Sequence, residues 1–170
     1  MEILTQSELQ LRYQEILEKI RRGAVFIYAT DTIYGIGCDA RNEQSVAKIR
    51  EIKQREDSPF SVWVPSKEWV EKNCIVSEKA KSWLNHLPGP FTLIIKSNSK
   101  IVAPNVAPSK DSLGIRMPDH WFQRVISDLN FPIVTTSANK SGEPFMTKLE
   151  NLDPAIEKEV EFMIYEGEKE

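Results

Sequence analysis

Residues 26–40 read FIYATDTIYGIGCDA. The run opens as an apolar strand, Phe26 to Ala29. It then turns into hydroxyls and an aspartate, Thr30, Asp31, Thr32 and Tyr34, and exits through Gly35 and Gly37. Side chains two apart in an extended chain share a face, so Thr30, Thr32 and Tyr34 are expected to point one way. A buried strand that ends in polar residues suits an α/β sheet, where ligand sites gather beyond the carboxyl ends of strands.

Two other stretches behave similarly. In KQR, residues 53–55, Lys53 and Arg55 can face one side if the chain has already left its helix; inside a helix, residues two apart diverge. In FPIVTTSAN, residues 131–139, an apolar strand again gives way to polar side chains, with Ser137 and Asn139 on one side. If the three ends lie side by side, hydroxyls, an amide, a guanidinium and an ammonium line one pocket. Arginine and lysine suit phosphate or carboxylate, and arginine can grip either with two bonds. Plainer readings stand beside this one. Threonine and asparagine cap turns, Lys53 and Arg55 complement a helix dipole, and the two glycines serve backbone conformation.

The rest of the chain supplies an α/β framework. TQSELQLRYQEILEKIRRG, from Thr5, reads as one helix. Thr5 and Glu8 form its capping box, and Leu9, Tyr13, Ile16, Leu17 and Ile20 fall at helical spacing. Gly23 is its left-handed stop. A helix capped by Asn42 must end before Pro59, which disfavours helical geometry at Ser58. Another is capped by Ser77 and stopped by Pro88, and a third starts near Asp119. Strands are expected at AVFIYA, PFSVWV, FTLIIKS, SLGIRMP and FPIV, and after a short helix at Val160 to Tyr165. Interspersed strands and helices without repeats or a low-complexity linker predict one α/β domain over residues 1–170 with a mixed sheet.

Composition narrows the function. The 170 residues are 41% hydrophobic and 28% charged, with a net charge of −3. The last 21 residues, with eight acids and two bases, carry −6, so residues 1–149 are at +3. That surplus is small. Apolar runs such as FTLII are far below the roughly 18 residues of a membrane span. The start has no signal-peptide pattern. Two cysteines, Cys38 and Cys74, form no CxxC and point to reduced thiols in a cytoplasmic protein. Two histidines make a His/Cys metal site a poor expectation. YGIGCDA lacks the third glycine of a dinucleotide fingerprint, and there is no GxxxxGK[ST] loop. Cys38 reads as a packed thiol, His86 as a helix-end residue and His120 as structural. Trp63, Trp69, Trp83 and Trp121 read as full or partial core.

Taken in order, ATDTIYGIGCDA, KQR, SPFSVWV, LPGPFTLII, SLGIRMPDH and TTSANKSGEP resemble the YrdC family of threonylcarbamoyl-AMP synthases, over roughly Gly23 to Pro144. The resemblance implies a twisted α/β fold with a deep, positively charged cavity. It implies formation of threonylcarbamoyl-adenylate and pyrophosphate from L-threonine, bicarbonate and ATP. That product feeds the modification of tRNA adenosine 37 through a separate transferase. By position, the resemblance assigns Thr32, Arg116 and Thr135 to L-threonine, and Lys53, Arg55, Ser58, Ser112, Ser137 and Asn139 to ATP. Lys53, Arg55 and a Mg²⁺ carried by ATP are the candidates for neutralising phosphate charge, with no protein cage for the metal. Double-stranded RNA binding, also described for members, makes a non-catalytic RNA- or nucleotide-binding protein the alternative.

The sequence departs from the family pattern in three places. Ala29 stands where members usually have proline, and Phe145 where many have a serine near the nucleotide. Members normally continue with a segment resembling PSTVVD and an arginine-containing stretch that serve both substrates; this sequence stops at YEGEKE. The expectation is either a truncated chain or a member with a pared-down site.

Overall fold

The computed structural model describes residues 1–97 and 100–170. In chain order the elements are β1 (Glu2–Leu4), α1 (Gln6–Leu11), α2 (Tyr13–Arg21), β2 (Phe26–Ala29), β3 (Tyr34–Gly37), α3 (Glu43–Lys53), β4 (Ser61–Trp63) and α4 (Lys67–Asn73). They continue with β5 (Cys74–Ile75), α5 (Glu78–Leu84), β6 (Gly89–Ser97), β7 (Ser112–Met117), α6 (Gln123–Leu129), β8 (Ile133–Ser137), a 3-10 turn (Leu149–Asn151), α7 (Pro154–Glu157) and β9 (Phe162–Ile164). The nine strands form a mixed sheet in the order β1-β9-β2-β3-β8-β4-β7-β6-β5. The pairs β1–β9, β2–β9 and β4–β7 are parallel and the rest antiparallel.

Helices cover both faces of the sheet. On one, α3 contributes Val46, Ile49 and Ile52, α4 Val70, α5 Leu84 and α7 Ile156 against Ile27, Ile36, Val62, Ile115 and Val134. On the other, Leu9 of α1, Ile16, Leu17 and Ile20 of α2, and Val125, Ile126 and Leu129 of α6 pack on Phe26, Tyr28, Trp63, Ile133 and Phe162. This second cover is incomplete. Beyond Trp63 and Ile133 the same sheet face continues through Ser61, Gly114, Arg116, Ser112, Thr92 and Ile94, all partly or fully exposed.

Several expectations change. The first helix breaks in two at Arg12, which leaves helical geometry (φ −115°, ψ 29°). Its guanidinium ties Glu2 of β1 (2.7 Å) and Glu15 of α2, while the capping box at Thr5 and Glu8 is present with both bonds at 3.1 Å. YGIG is a strand, not an exit loop: β3 turns back antiparallel on β2. Its glycines act by removing side chains. A Cβ at Gly35 would sit 2.9 Å from Tyr28 Cζ, and one at Gly37 2.5 Å from the Val134 carbonyl oxygen and 2.8 Å from Tyr28 Cε1. The Tyr28 ring lies across β3 in the space they leave. β1, α4 and β5, each seven residues or fewer, were not foreseen. The helix expected near Asp119 starts at Gln123, after turn bonds to the carbonyls of His120 and Trp121. The last strand is shorter than Val160 to Tyr165, and Trp83 is half exposed.

Candidate active site

The end of α3 builds one wall of a cavity. Asn42 caps the helix at its start, accepting from the Ser45 N–H at 3.0 Å. At its finish Gln54 adopts a left-handed conformation (φ 55°, ψ 46°). The Arg55 N–H bonds the Arg50 carbonyl at 3.0 Å and the Gln54 N–H the Glu51 carbonyl at 3.2 Å, a Schellman closure built on a non-glycine residue. Lys53 is therefore still helical, and the reversal at Gln54, rather than an extended chain, brings Arg55 to the same side.

The resulting cavity, of about 690 Å³, is lined by Lys53, Gln54, Arg55, Glu56, Ser58, Ser137, Asn139, Ser141, Gly142, Glu143 and Phe145. It gathers Lys53, Arg55, Ser58, Ser137 and Asn139 from the sequence reading. Lys53 is 2% exposed, and its ammonium is engaged with the protein. Nζ donates to the carbonyls of Ser137 (2.6 Å) and Asn139 (2.8 Å) and lies 3.2 Å from Asn139 Oδ1 and 3.4 Å from Ser137 Oγ. Three N–H donors are thus matched by four acceptors. Burial, then the charge of Arg55, lowers its pKa to about 8. In return the Ser141 N–H caps the Lys53 carbonyl at 3.1 Å.

Arg55 is differently placed. One Nη donates to the Pro59 carbonyl at 2.6 Å, and Nε is buried without a hydrogen bond among the described residues. Behind it, Arg50 fastens the surrounding loops through the carbonyls of Ser58 (3.0 Å), Asn105 (2.8 Å) and Val106 (3.1 Å). Both guanidinium groups lie against the Phe60 ring, at 4.3 Å for Arg50 and 4.9 Å for Arg55. Arg50 was missed because an arginine inside a helix gives no signal of burial.

Two of the three residues carried over for the amino acid, Arg116 and Thr135, lie on the adjoining open sheet face. Register places Ser137 beside Gly35, Thr135 beside Ser61, Ser61 beside Gly114, and Arg116 beside Trp63. Ser137, Thr135, Ser61 and Arg116 therefore share one face, with β7 two strand spacings, roughly 10 Å, from β8. Arg116 Nε is buried and unpartnered among the described residues. Beneath them the Tyr28 hydroxyl approaches the Val134 carbonyl at 3.4 Å. Burial raises the Tyr28 phenol far above its ordinary value, opposed by the neighbouring Thr135 hydroxyl and the Arg116 charge. Tyr28 and Ser61, read as strand interior, adjoin this face.

Thr32 and Ser112 fall outside the cavity. Thr32 is exposed in the turn between β2 and β3, at the same sheet end as Ser137. That turn is organised by Thr30, whose hydroxyl accepts from the N–H groups of Thr32 and Ile33 (both 3.2 Å) and donates to the Ile33 carbonyl (2.8 Å). Tyr34, expected to point with them, is core; its hydroxyl donates to the Gly167 carbonyl (2.6 Å) and accepts from the Glu166 N–H (3.0 Å). Ser112 shares the open sheet face but lines a separate depression with Arg41, Lys100 and Lys110. Cys38 is fully buried and burial raises its thiol pKa, which suits a packed rather than a reactive sulfur. Among the described residues no group of His, Cys, Asp and Glu is arranged to hold a metal ion.

The Sua5/YciO/YrdC family profile, described as Telomere recombination, matches residues 18–170. The chain belongs to this family. A Methanocaldococcus jannaschii relative is 37% identical over 163 residues, 95% of this chain and 76% of that protein. The Threonylcarbamoyl-AMP synthase of Bacillus subtilis is 35% identical over 78% of this chain but only 40% of its own length. The structure of P. abyssi Sua5 complexed with L-threonine superposes with a TM-score of 0.85 at 27% identity, over 99% of this chain and 50% of that one. The chain thus spans about half the length of this Sua5 relative. The shared fold is the α/β sheet with flanking helices described above.

Proposed function

We propose that this Sua5/YciO/YrdC member is a threonylcarbamoyl-AMP synthase. It condenses L-threonine, bicarbonate and ATP to threonylcarbamoyl-adenylate and pyrophosphate. The observation that carries the reading is the meeting, at Ser137, of a cavity holding Arg55 with a sheet face holding Thr135 and Arg116. Likeness over nearly the whole chain to a Sua5 described as complexed with L-threonine supports it, as do relatives named as threonylcarbamoyl-AMP synthases.

In this reading Arg116 receives the threonine carboxylate, with Thr135 and Thr32 on the amino-acid side. Arg55 receives the phosphates, which bring their own Mg²⁺. Ser58, Ser137, Asn139 and, from across the open face, Ser112 orient the nucleotide. Lys53 holds the Ser137–Asn139 turn and adds positive charge from behind it. Threonine and bicarbonate form a carbamate with loss of water. A carbamate oxygen attacks the α-phosphorus, the bond from that phosphorus to the bridging oxygen breaks, and pyrophosphate leaves with the electron pair. No covalent enzyme nucleophile is required. The protein's work is alignment of two anions and stabilisation of charge on the phosphates.

The nine-stranded sheet supports reading residues 1–170 as one domain. Two buried free thiols support a cytoplasmic setting, and no described helix is long and apolar enough to cross a membrane. The product would pass to a separate transferase acting on tRNA. The test is pyrophosphate release from ATP, with threonine and bicarbonate added and omitted in turn. Release that requires both supports the synthase. Salt-sensitive RNA binding without such turnover would favour the non-catalytic alternative.

A further inference from the structure

Phe145 is 60% exposed, whereas Phe26, Tyr28, Phe60, Phe122 and Phe162 are at most 2% exposed. The other half-exposed large aromatic, Trp83, packs near His86 and Phe91, with ring centroids 5.8 and 6.2 Å away. Phe145 has no such ring neighbour among the described residues, and it lines the cavity that holds Arg55 and Ser58. Its position is fixed from both sides. Met146, the next residue, is fully buried, and its carbonyl accepts from the Tyr34 N–H at 3.1 Å. Upstream, the Asn139 side chain donates to the Glu143 carbonyl, and the Glu143 N–H closes a turn on the Lys140 carbonyl at 3.0 Å. Space lies nearby: a Cβ on Gly142 would meet nothing within 4 Å.

A firmly held chain thus presents an unpartnered aromatic face to water at the edge of a polar cavity. Arg55 supplies a cation for phosphate in that same cavity. A nucleotide offers a matching pair of features, an anionic tail and a flat base. Resting on the nucleotide reading above, we propose that Phe145 is the platform on which the nucleobase of the bound nucleotide stacks. Stacking engages the π-face that every base possesses, so this residue contributes affinity without choosing between adenine and guanine.

The test is calorimetric titration of the wild-type protein, Phe145→Ser, Phe145→Leu and Phe145→Trp with ATP, GTP and inorganic tripolyphosphate, each with Mg²⁺. Phe145 is on the surface, so these substitutions leave the core intact. The wild type should bind ATP more tightly than tripolyphosphate. Phe145→Ser should weaken ATP and GTP by about 5- to 150-fold, the range of one base–aromatic stack, and leave tripolyphosphate unchanged. Phe145→Trp should retain nucleotide affinity, and Phe145→Leu should lose part of it. Equal weakening of all three ligands by Phe145→Ser would overturn the proposal, as would unchanged ATP affinity. Failure of the wild type to bind ATP would remove the nucleotide reading together with the platform. ATP binding indifferent to residue 145 removes the platform alone.

Discussion

Replacing Lys53 with methionine separates two roles that the sequence could not distinguish. The ammonium lies against two backbone carbonyls, those of Ser137 at 2.6 Å and Asn139 at 2.8 Å, in a residue that is 2% exposed. Methionine fills similar volume and offers no donor. The Ser137 carbonyl keeps a second donor, the Asn139 N–H at 2.9 Å, but the Asn139 carbonyl is left without a partner, which costs about 1–3 kcal/mol. Loss of the charged bond to Ser137 adds to this and release from burying a charge offsets part of it, leaving a net loss of about 2 kcal/mol. For a domain of this size that is a fall in Tm of about 4–8 °C. Thermal denaturation of wild type and Lys53→Met, followed by ATP calorimetry on both below their transitions, gives the two numbers. A variant within about 2 °C of wild type, yet at least tenfold weaker for ATP, would refute the clamp. Its ammonium would then be working in the cavity instead of in the wall.

The same lysine sets a pH limb. With its native pKa near 8, against 10.5 as the reference, its charge disappears as pH rises through 8. Between 8 and 10.5 the unfolded chain holds the proton more tightly, so this group's contribution to stability rises with pH; a pH–rate profile should fall through about 8 without unfolding, and the fall should vanish in Lys53→Met. Arg116→Ala should weaken threonine binding by about 10- to 150-fold, the loss of a charge-assisted contact of about 1.5–3 kcal/mol, and spare ATP. Arg55→Ala should do the reverse, and calorimetry showing equal loss of both ligands in either variant would contradict the assignment. Gly37→Ala should cost about 3 kcal/mol in urea denaturation, because the backbone oxygen of Val134 cannot yield. Gly35→Ala should cost about 1 kcal/mol, because only the Tyr28 ring must shift.

The elements legible beforehand were those with local signals. The capping box at Thr5, the Asn42 cap, the stop at Gly23 and the apolar strands Phe26–Ala29 and Ile133–Ser137 each carry their instruction within a few residues. The break at Arg12 was not legible, since it coincides with ion pairs to Glu2 and Glu15 whose geometry depends on a sheet edge not yet formed. Gly35 and Gly37 looked like turn residues because their reason, the ring of Tyr28 crossing from the neighbouring strand, is a tertiary contact. The short elements β1, α4 and β5 owe their form to packing more than to periodicity. For the candidate site, KQR and TSAN were visible as polar ends, but nothing local announced that Lys53 would grasp the second stretch. Nor could the pattern of residues 141–145 reveal an exposed phenylalanine beside Arg55.

β8 is the fifth strand of nine, with four strands on either side. Its backbone amides are therefore expected among the slowest in the molecule to exchange with deuterium, and Ser137 inherits that stiffness. Opening from this end would mean splitting the sheet through its middle, which a ligand's arrival cannot easily do. Adjustment to substrates of different size must then fall to the exposed side chains after Asn139, whose backbone is itself tied at Glu143 and Met146, so that recognition is divided between an unyielding anvil and a rim that adapts by rotating side chains.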